Sequence, residues 1–330
     1  MYNPMSSIIR EATRSADEPL NILTFVAHER YEPSLCRTGH NFYSVITEGT
    51  RYWHEEYSPI PPNYTIFRDS VPDFIVDRID LVISHNPFVH IPLAHKLGLR
   101  APIINIFHTM PAPGWNSAAI PDNVKTMFDW CTEHVYISEF NKLAWGYDRG
   151  QIIHHGIDTD LFHPGFKSSP AKPRVLTVAN DYINRDWCLG FSIWKAISSD
   201  LPMFPVGATP GLSNPAGSLD EMIEIYQDSA VFLNTSTASP IPMSLLEAMA
   251  CGCACVSAAT CMIPDIIEDG VDGFLCPPHK PEVFKNRCQW LLDNPQEARK
   301  MGNHAMKKIE SMFGLQRFAD EFNEVIKGVL

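Results

Sequence analysis

Residues 239–278, SPIPMSLLEAMACGCACVSAATCMIPDIIEDGVDGFLCPP, contain one apolar helical segment, Pro242–Cys251, that carries a single carboxylate, Glu247. Burying a carboxylate without hydrogen-bond donors is costly. The segment therefore allows two interpretations of Glu247. Either it faces solvent, or it accepts hydrogen bonds from a pair of vicinal hydroxyls such as those of a ribose.

The same stretch holds three cysteines at alternating positions, Cys251, Cys253 and Cys255. Structural metal sites usually place two or four residues between paired ligands and need a second pair elsewhere. The histidines His85, His90 and His95 repeat every five residues and match no common metal template. We therefore expect no metal site, and we interpret the three cysteines as packing residues.

Composition restricts the class of protein. The 330-residue chain is 45% hydrophobic and 19% charged, values typical of a globular protein of about two domains. Its net charge of -12 and the lack of any Lys/Arg cluster disfavour nucleic acid and anionic membranes as partners. Residues 1–19 resemble a flexible leader rather than a signal peptide, and no apolar run is long enough to span a membrane. Together with an odd number of scattered cysteines, these features predict a cytoplasmic location.

Apolar strand-like runs alternate with helical patterns in both halves of the chain, which predicts two parallel sheets covered by helices. Predicted strands are 21–27, 80–84, 101–107, 134–138, 174–179, 203–207, 230–234, 254–257 and 273–276. Predicted helices are 92–99, 121–131, 187–197, 219–227, 242–251, 281–292 and most of the chain after Pro295, with a break near residues 313–314. A Pro- and Ser-rich segment, residues 165–173, separates the halves as a predicted linker.

Several motifs in order resemble the GT-B retaining glycosyltransferases of family 4, also called group 1. The resemblance lies in LLEAMA, in the Pro264–Leu275 segment PDIIEDGVDGFL, and in residues 104–111, 135–140 and 152–164. It implies an α/β chain of the GT-B fold, with two Rossmann-like domains, a central cleft and a C-terminal crossover helix. Residues 1–160 with helix 313–330 would form the acceptor-side domain, and residues 170–312 the nucleotide-sugar-binding domain.

The resemblance also implies roles for individual positions. Glu247 would bind the ribose of the donor, and His108 would lie near the reacting centre. The loop Pro240–Ser244, which consists of Pro240, Ile241, Pro242, Met243 and Ser244, would present backbone amides to the transferred sugar. A loop bearing Gly39 would lie over the donor phosphates, together with Thr38 and His40.

Three positions depart from the family pattern. Ser239 occupies the position of the family's first glutamate, and a serine offers no negative charge to a developing oxocarbenium ion. Asn180 and Arg185 fall on the Arg and Lys that bind the diphosphate, so one of those two charges is kept. These departures do not change the expected fold. They leave open which donor the protein uses and whether it is active.

We therefore expect a retaining hexosyl or pentosyl transferase that uses a UDP- or GDP-linked sugar as co-substrate and no other cofactor. The acceptor would be a hydroxyl compound of unknown identity. Two alternatives stay open at this point. One is a degenerate subunit that binds sugar nucleotides without turnover, suggested by Ser239 and Asn180. The other is a viral-type glycosyltransferase acting on hydroxymethylated bases of DNA, which the acidic balance disfavours.

Overall fold

The computed structural model describes residue 15 and residues 18–165 and 172–330. These residues divide into two compact units. The first comprises the described residues up to His154 together with Gln316–Leu330, and the second comprises His155–Leu315. Most of the predicted linker and of the predicted leader lies outside the described residues. The expected labels of acceptor-side and nucleotide-sugar-binding domain stay predictions.

The first unit contains a seven-stranded parallel sheet in the order β3-β2-β1-β4-β5-β6-β7. Its strands are β1 (Asn21–Thr24), β2 (Asn41–Ile46), β3 (Tyr64–Arg68), β4 (Leu81–Ser84), β5 (Ile103–Phe107), β6 (Glu133–Tyr136) and β7 (Gln151–Ile152). The central strands β4 and β5 are buried along their whole length. Their near-continuous apolar sequences, LVIS and IINIF, follow from having helices or loops against both faces of the sheet.

Six helices of the first unit surround this sheet. They are α1 (Glu32–Cys36), α2 (Asp73–Val76), α3 (Pro87–Lys96), α4 (Asp122–Asp129), α5 (Glu139–Trp145) and the C-terminal α13 (Leu315–Val329). Helix α13 contributes Phe318, Phe322, Val325 and Ile326 to the core beside Ile22 and Leu35. Because these side chains recur every three or four residues, one face of α13 is apolar and is buried in the first unit.

The second unit contains a five-stranded parallel sheet in the order β12-β11-β10-β8-β9. Its strands are β8 (Lys172–Val178), β9 (Met203–Val206), β10 (Ser229–Asn234), β11 (Ala254–Ala258) and β12 (Phe274–Cys276). Its helices are α6 (Asp186–Leu189), α7 (Phe191–Ile197), α8 (Leu219–Gln227), α9 (Met243–Ala250), α10 (Ile263–Ile266), α11 (Pro281–Asp293) and α12 (Pro295–Met312). The middle strand β10 bears the loop that leads into α9.

Small residues let α12 pack closely against the turn that follows α9. A Cβ atom added to Gly302 of α12 would lie only 1.9 Å from the carbonyl oxygen of Gly252. The cysteines Cys251, Cys253 and Cys255 are all buried in the adjoining hydrophobic core. Their burial confirms the interpretation of these three cysteines as packing residues.

The nine predicted strands and the parallel topology are confirmed, with ends that coincide or differ by at most three residues. Strands β2, β3 and β7 were not predicted, because their sequences, NFYSVI, YTIFR and QI, lack a long apolar run. The single helix predicted over 187–197 is wrong. It is two short helices separated by Gly190, whose φ of +70° ends α6 in a left-handed turn. Among the described residues, no helix has both the length and the apolar character needed to cross a bilayer.

Candidate functional site

The loop after β10 is tied to the segment that follows β8 and includes the short helix α6. The hydroxyl of Thr235 donates to the carbonyl of Leu189 at 2.8 Å, and the amide of Thr237 donates to the carbonyl of Cys188 at 2.9 Å. The hydroxyls of Tyr182 and Thr235 are also hydrogen-bonded. Because neighbouring parallel strands end at the same edge of a sheet, these bonds hold two ligand-facing loops in a fixed arrangement.

Gly190 is required at the contact between these two loops. A Cβ atom at this position would lie 2.1 Å from the carbonyl oxygen of Thr235, far inside van der Waals contact. Its positive φ also favours glycine. The close approach therefore depends on glycine for two independent reasons.

Helix α9 begins directly after this loop. Pro240, Ile241 and Pro242 are buried, whereas Met243 and Ser244 are partly exposed. No side chain caps the helix, since Pro242 precedes its first residue and cannot donate or accept through a side chain. The first amides of a helix have no carbonyl partner within the helix. Met243 and Ser244 lie in this first turn, and the binding of a sugar by their amides, like that of Ile241, stays a prediction. Pro240 and Pro242 have no N–H to donate, so they can only shape the loop.

Glu247 lies on the second turn of α9 and is buried, with 4% of its surface exposed. Its Oε2 accepts a hydrogen bond of 2.9 Å from the hydroxyl of Tyr226, a fully buried residue of α8. The solvent-facing interpretation of Glu247 is therefore wrong. Tyr226 was not identified from the sequence, because a tyrosine on the apolar face of an amphipathic helix gives no signal beyond packing.

The two predicted diphosphate-binding positions differ in their surroundings. Asn180 is exposed, and its side-chain oxygen accepts a hydrogen bond of 2.8 Å from the amide of Ala208, so it braces the loop after β9. Arg185 is also exposed and forms no ion pair with a carboxylate of the described residues. Arg185 is consequently the better placed of the two to meet a phosphate.

Ser239, at the position of the family's first glutamate, is partly buried in the loop before α9. The thiol of Cys261, on the loop after β11, lies beside the backbone of Ser239. Burial raises the pKa of Cys261 to about 11, partly offset by a backbone hydrogen bond from Ser239. No cluster of three or more potential metal ligands occurs in the described part of the chain.

A second polar cluster lies in the first unit, where β1, β4 and β5 reach their carboxyl ends. The rings of His85 and His108 are joined by a hydrogen bond of 2.8 Å between Nδ1 of His85 and Nε2 of His108. The hydroxyl of Thr24 lies 2.9 Å from Nε2 of His85. Tyr31 packs edge-on against His108, with ring centroids 4.4 Å apart. His108, predicted from the sequence as a site residue, is therefore part of a buried network.

Glu32, the first residue of α1, completes this cluster. Its Oε1 lies 3.3 Å from Nε2 of His85, and both side chains are almost completely buried. Burial raises the pKa of Glu32 to about 8, opposed by a hydrogen bond from the amide of Ala27 and increased by the negative charge of Glu29. Burial, reinforced by the neighbouring histidines, lowers the pKa of His85 well below its usual value. Both groups are thus favoured in their neutral forms near pH 7.

The predicted location of Thr38, Gly39 and His40 over the donor phosphates is wrong. These residues follow α1 rather than β1 and lead into β2, so they lie at the amino-terminal edge of the sheet, opposite the cluster around His108. The hydroxyl of Thr38 bonds to the carbonyl of Leu35 at 2.7 Å, and Nδ1 of His40 accepts from the amide of Leu20. They close a helix end and start a strand.

Comparison with solved structures defines the class of protein. HepE of Anabaena, solved in complex with UDP and glucose, matches with a TM-score of 0.71 and 15% sequence identity, over 94% of this chain and 100% of that one. Sucrose-phosphate synthase of Thermosynechococcus elongatus matches with a TM-score of 0.66 and 12% identity, over 94% and 99% of the two chains. The fold is that of the GT-B glycosyltransferases, as predicted.

Sequence comparison agrees with this fold. Residues 215–308 match the family model described as Glycosyl transferases group 1. N-acetyl-alpha-D-glucosaminyl L-malate synthase of Bacillus anthracis is 27% identical over 114 residues, which are 34% of this chain and 30% of that protein. Sulfoquinovosyl transferase of Arabidopsis thaliana is 27% identical over an alignment of 189 residues that covers 48% of this chain and 36% of that protein.

The chain thus aligns with about a third of the length of these curated relatives. The resemblance to GT-B glycosyltransferases of the group 1 type is confirmed. The matched segment contains Ser239, the start of α9 and Glu247, which places the loop described above within the part of the chain that carries the family pattern.

Proposed function

We propose that this protein is a retaining glycosyltransferase that moves a sugar from a nucleotide diphosphate sugar to a hydroxyl acceptor. The observation that carries the proposal is the buried carboxylate of Glu247 in α9, which a hydrogen bond from Tyr226 of α8 holds in place. The first amides of α9 directly follow the loop after β10. A carboxylate fixed in this way suits the pair of hydroxyls of a ribose, since each hydroxyl can donate one hydrogen bond to it.

The donor we favour is a UDP-linked hexose. Solved structures of HepE contain UDP, or UDP-glucose, on the same fold. In this chain, the exposed guanidinium of Arg185 and the first amides of α9 would bind the diphosphate and stabilise its charge as it departs. No metal ion is needed for the diphosphate in this scheme. The retention of anomeric configuration rests on the family resemblance.

The thiols support a cytoplasmic location. None of the nine cysteines, all of which lie within the described residues, forms a disulfide. Eight of the nine are buried. Chains that work in oxidising compartments more commonly use disulfides.

A second candidate is a subunit that binds the nucleotide sugar without turning it over. Asn180 favours this second candidate, because a neutral side chain that accepts from the amide of Ala208 occupies a position where the family has a cation for the diphosphate. Ser239 favours it as well, because its neutral hydroxyl cannot stabilise a developing positive charge.

Calorimetric titration with UDP, UDP-glucose, GDP and GDP-mannose tests donor binding. We expect UDP and UDP-glucose to bind and the guanine nucleotides to bind at least tenfold more weakly. Arg185→Ala should weaken UDP but not uridine, since only UDP carries the diphosphate. Lys195→Ala, which removes an exposed cation from α7, serves as the matched control. Absence of binding to every nucleotide would contradict the proposal.

Product analysis separates the two candidates. Proton NMR of the reaction with UDP-glucose and a panel of hydroxyl acceptors should show a glycoside with the α configuration of the donor. Tight binding of UDP-glucose with neither transfer nor slow hydrolysis would favour the non-catalytic subunit. A β-linked product would contradict retention while leaving donor use intact.

A further inference from the structure

The cluster at the carboxyl end of β1, β4 and β5 forms a continuous chain of hydrogen-bonding groups. Glu32 lies 3.3 Å from one ring nitrogen of His85, and the other ring nitrogen of His85 lies 2.8 Å from Nε2 of His108. The side chains of Glu32 and His85 are 0% and 1% exposed, whereas His108 is only partly buried. The chain therefore leads from a buried acid to a more accessible imidazole.

The hydroxyl of Thr24 connects Glu32 with His85, because it hydrogen-bonds to the carboxyl group of Glu32 and lies 2.9 Å from Nε2 of His85. Hydrogen-bond chemistry allows two neutral-histidine arrangements of this chain. In the first, Glu32 is protonated and donates to the oxygen of Thr24, and the hydroxyl of Thr24 donates to Nε2 of His85. Nδ1 of His85 then donates to Nε2 of His108, which carries its own hydrogen on Nδ1. In the second, Glu32 is ionised and accepts from the hydroxyl of Thr24, whose oxygen accepts from Nε2 of His85. Nδ1 of His85 then accepts from Nε2 of His108, which leaves Nδ1 of His108 as an acceptor.

We propose that Glu32, His85 and His108 form a proton relay, in which the protonation of Glu32 determines which ring nitrogen of His108 carries the hydrogen. A proton delivered to Nδ1 of His108 is balanced by transfer of its Nε2 hydrogen to Nδ1 of His85. The Nε2 hydrogen of His85 in turn moves to the oxygen of Thr24, and the hydroxyl hydrogen of Thr24 moves to Glu32. The net change is one proton gained by Glu32, and no imidazolium is formed.

The surroundings of the relay favour neutral groups throughout. The second carboxyl oxygen of Glu32 has no hydrogen-bond partner among the described residues, which makes the ionised form costly. The hydroxyl of Thr24 donates to Nε2 of His85 in the first arrangement and accepts from it in the second, so it is satisfied and neutral in both. Two ionisable groups outside the relay act on it, Glu29 on Glu32 and His90 on His85. The charge of Glu32 in turn raises the pKa values of its neighbours Tyr31, Cys36 and Tyr64, and Arg317 lowers that of Tyr31.

His90 takes no part in the proton transfer. Its Nδ1 accepts hydrogen bonds from the backbone amides of His85 and Asn86, and its ring stacks on Phe25 at 4.2 Å. Burial lowers the pKa of His90 to about 3. It fixes the backbone of the turn after β4 and so positions the ring of His85.

The use of this relay in sugar transfer rests on the proposed function, whereas the relay itself does not. Glu32 and His85 act here as positioning residues, because they set the tautomer of His108 without touching a substrate. Near pH 7 the relay makes Nδ1 of His108 a hydrogen-bond donor, which suits a hydroxyl or other oxygen of a substrate. Above the pKa of Glu32 the same atom becomes an acceptor.

Long-range proton–nitrogen NMR of the imidazole rings tests the relay without any activity measurement. With rising pH, His108 in the wild type should change from the Nδ1-H to the Nε2-H tautomer, with a midpoint at about pH 8, the pKa of Glu32. Its nitrogen shifts should stay those of a neutral ring. If the tautomer of His108 in the wild type does not change between pH 6 and pH 10, or if His108 titrates as an ordinary imidazolium, the proposal is overturned. This test needs no variant.

Two variants sharpen the test. Glu32→Gln cannot ionise, so the tautomer change should disappear. The matched control is Glu29→Gln, a second buried glutamate whose Oε1 accepts from the amide of His54 outside the relay. Removing the charge of Glu29 should keep the change and move its midpoint to lower pH, because that charge raises the pKa of Glu32. Persistence of the change in Glu32→Gln would overturn the proposal.

The pH profile of transfer then connects the relay with catalysis. If Nδ1 of His108 must donate, kcat should fall about tenfold between pH 7 and pH 9 in the wild type, since the donor form then falls from about 90% to about 10%. This fall should be absent in Glu32→Gln. A tautomer change without any sugar transfer would refute the proposed function and leave the relay itself supported. A flat wild-type profile with the tautomer change intact would overturn the catalytic use of the relay.

Discussion

Replacing Glu247 by glutamine changes one atom of a buried side chain and tests the central residue of the proposed donor site. The glutamine can still accept the hydrogen bond of 2.9 Å from Tyr226 through its carbonyl oxygen. Its amide group, however, cannot accept from a ribose hydroxyl where the second carboxylate oxygen could. The loss is therefore about one hydrogen bond to a charged group, or roughly 1–3 kcal/mol of binding free energy.

Such a loss raises the Kd for UDP roughly 5- to 150-fold. Calorimetric titration of the wild type and Glu247→Gln with UDP measures it directly. Unfolding by urea should show a change in stability of at most about 1 kcal/mol, because the bond to Tyr226 is retained. This second measurement separates a loss of binding from a loss of structure.

The matched control is Glu224→Gln, which makes the same chemical change at an exposed position of α8. It should leave both affinity and stability unchanged. Wild-type affinity for UDP in Glu247→Gln would refute the assignment of Glu247 to ribose. A loss confined to stability would assign Glu247 a purely structural role with Tyr226.

Two further predictions concern stability. Gly190→Ala should lower the free energy of unfolding by roughly 2–5 kcal/mol, because the new Cβ lies 2.1 Å from the carbonyl of Thr235 and φ is positive. Gly211→Ala, with a similar φ but nothing within 4 Å, should cost only about 1–2 kcal/mol in the same urea unfolding assay, and equal losses would contradict the steric argument. Glu32 has its pKa raised from 4.5 to about 8 in the folded state. The folded protein therefore holds a proton that the unfolded chain has released between these pH values, and stability falls as pH rises through them. Relative to Glu32→Gln, the wild type should lose up to about 1.4 kcal/mol per pH unit from pH 5 to pH 8, and a pH-independent difference would contradict the raised pKa.

The motif in Pro264–Leu275 and the LLEAMA helix were sufficient to predict the GT-B fold before any coordinates were considered, because several linked motifs occurred in order. Strands with continuous apolar runs, such as β5 and β11, were predicted because both of their faces are buried. Strands β2 and β3 were not, because polar residues interrupt their apolar sequences, and in β3 only Tyr64 is buried.

Single residues were harder to predict than strands. Glu247 was identified because a carboxylate in an apolar helix is unusual, yet its partner Tyr226 is 21 positions away and is brought to it only by the packing of α8 against α9. Thr38, Gly39 and His40 were misplaced for the opposite reason. The sequence contains a glycine near the expected position, but the short helix α1 intervenes and moves that loop to the other edge of the sheet.

The sequence by itself determined the alternation of strands and helices, the GT-B fold and the segment that carries the family pattern, because these depend on local periodicity and on short motifs that occur in order. Only the tertiary structure decided which distant side chains meet. Glu32, His85 and His108 are separated by 53 and 23 positions in the chain, and they are linked through Thr24 into one hydrogen-bonded chain because parallel strands β1, β4 and β5 end at the same edge of one sheet. Their burial there, rather than their residue types, raises the pKa of Glu32 and makes a proton relay possible.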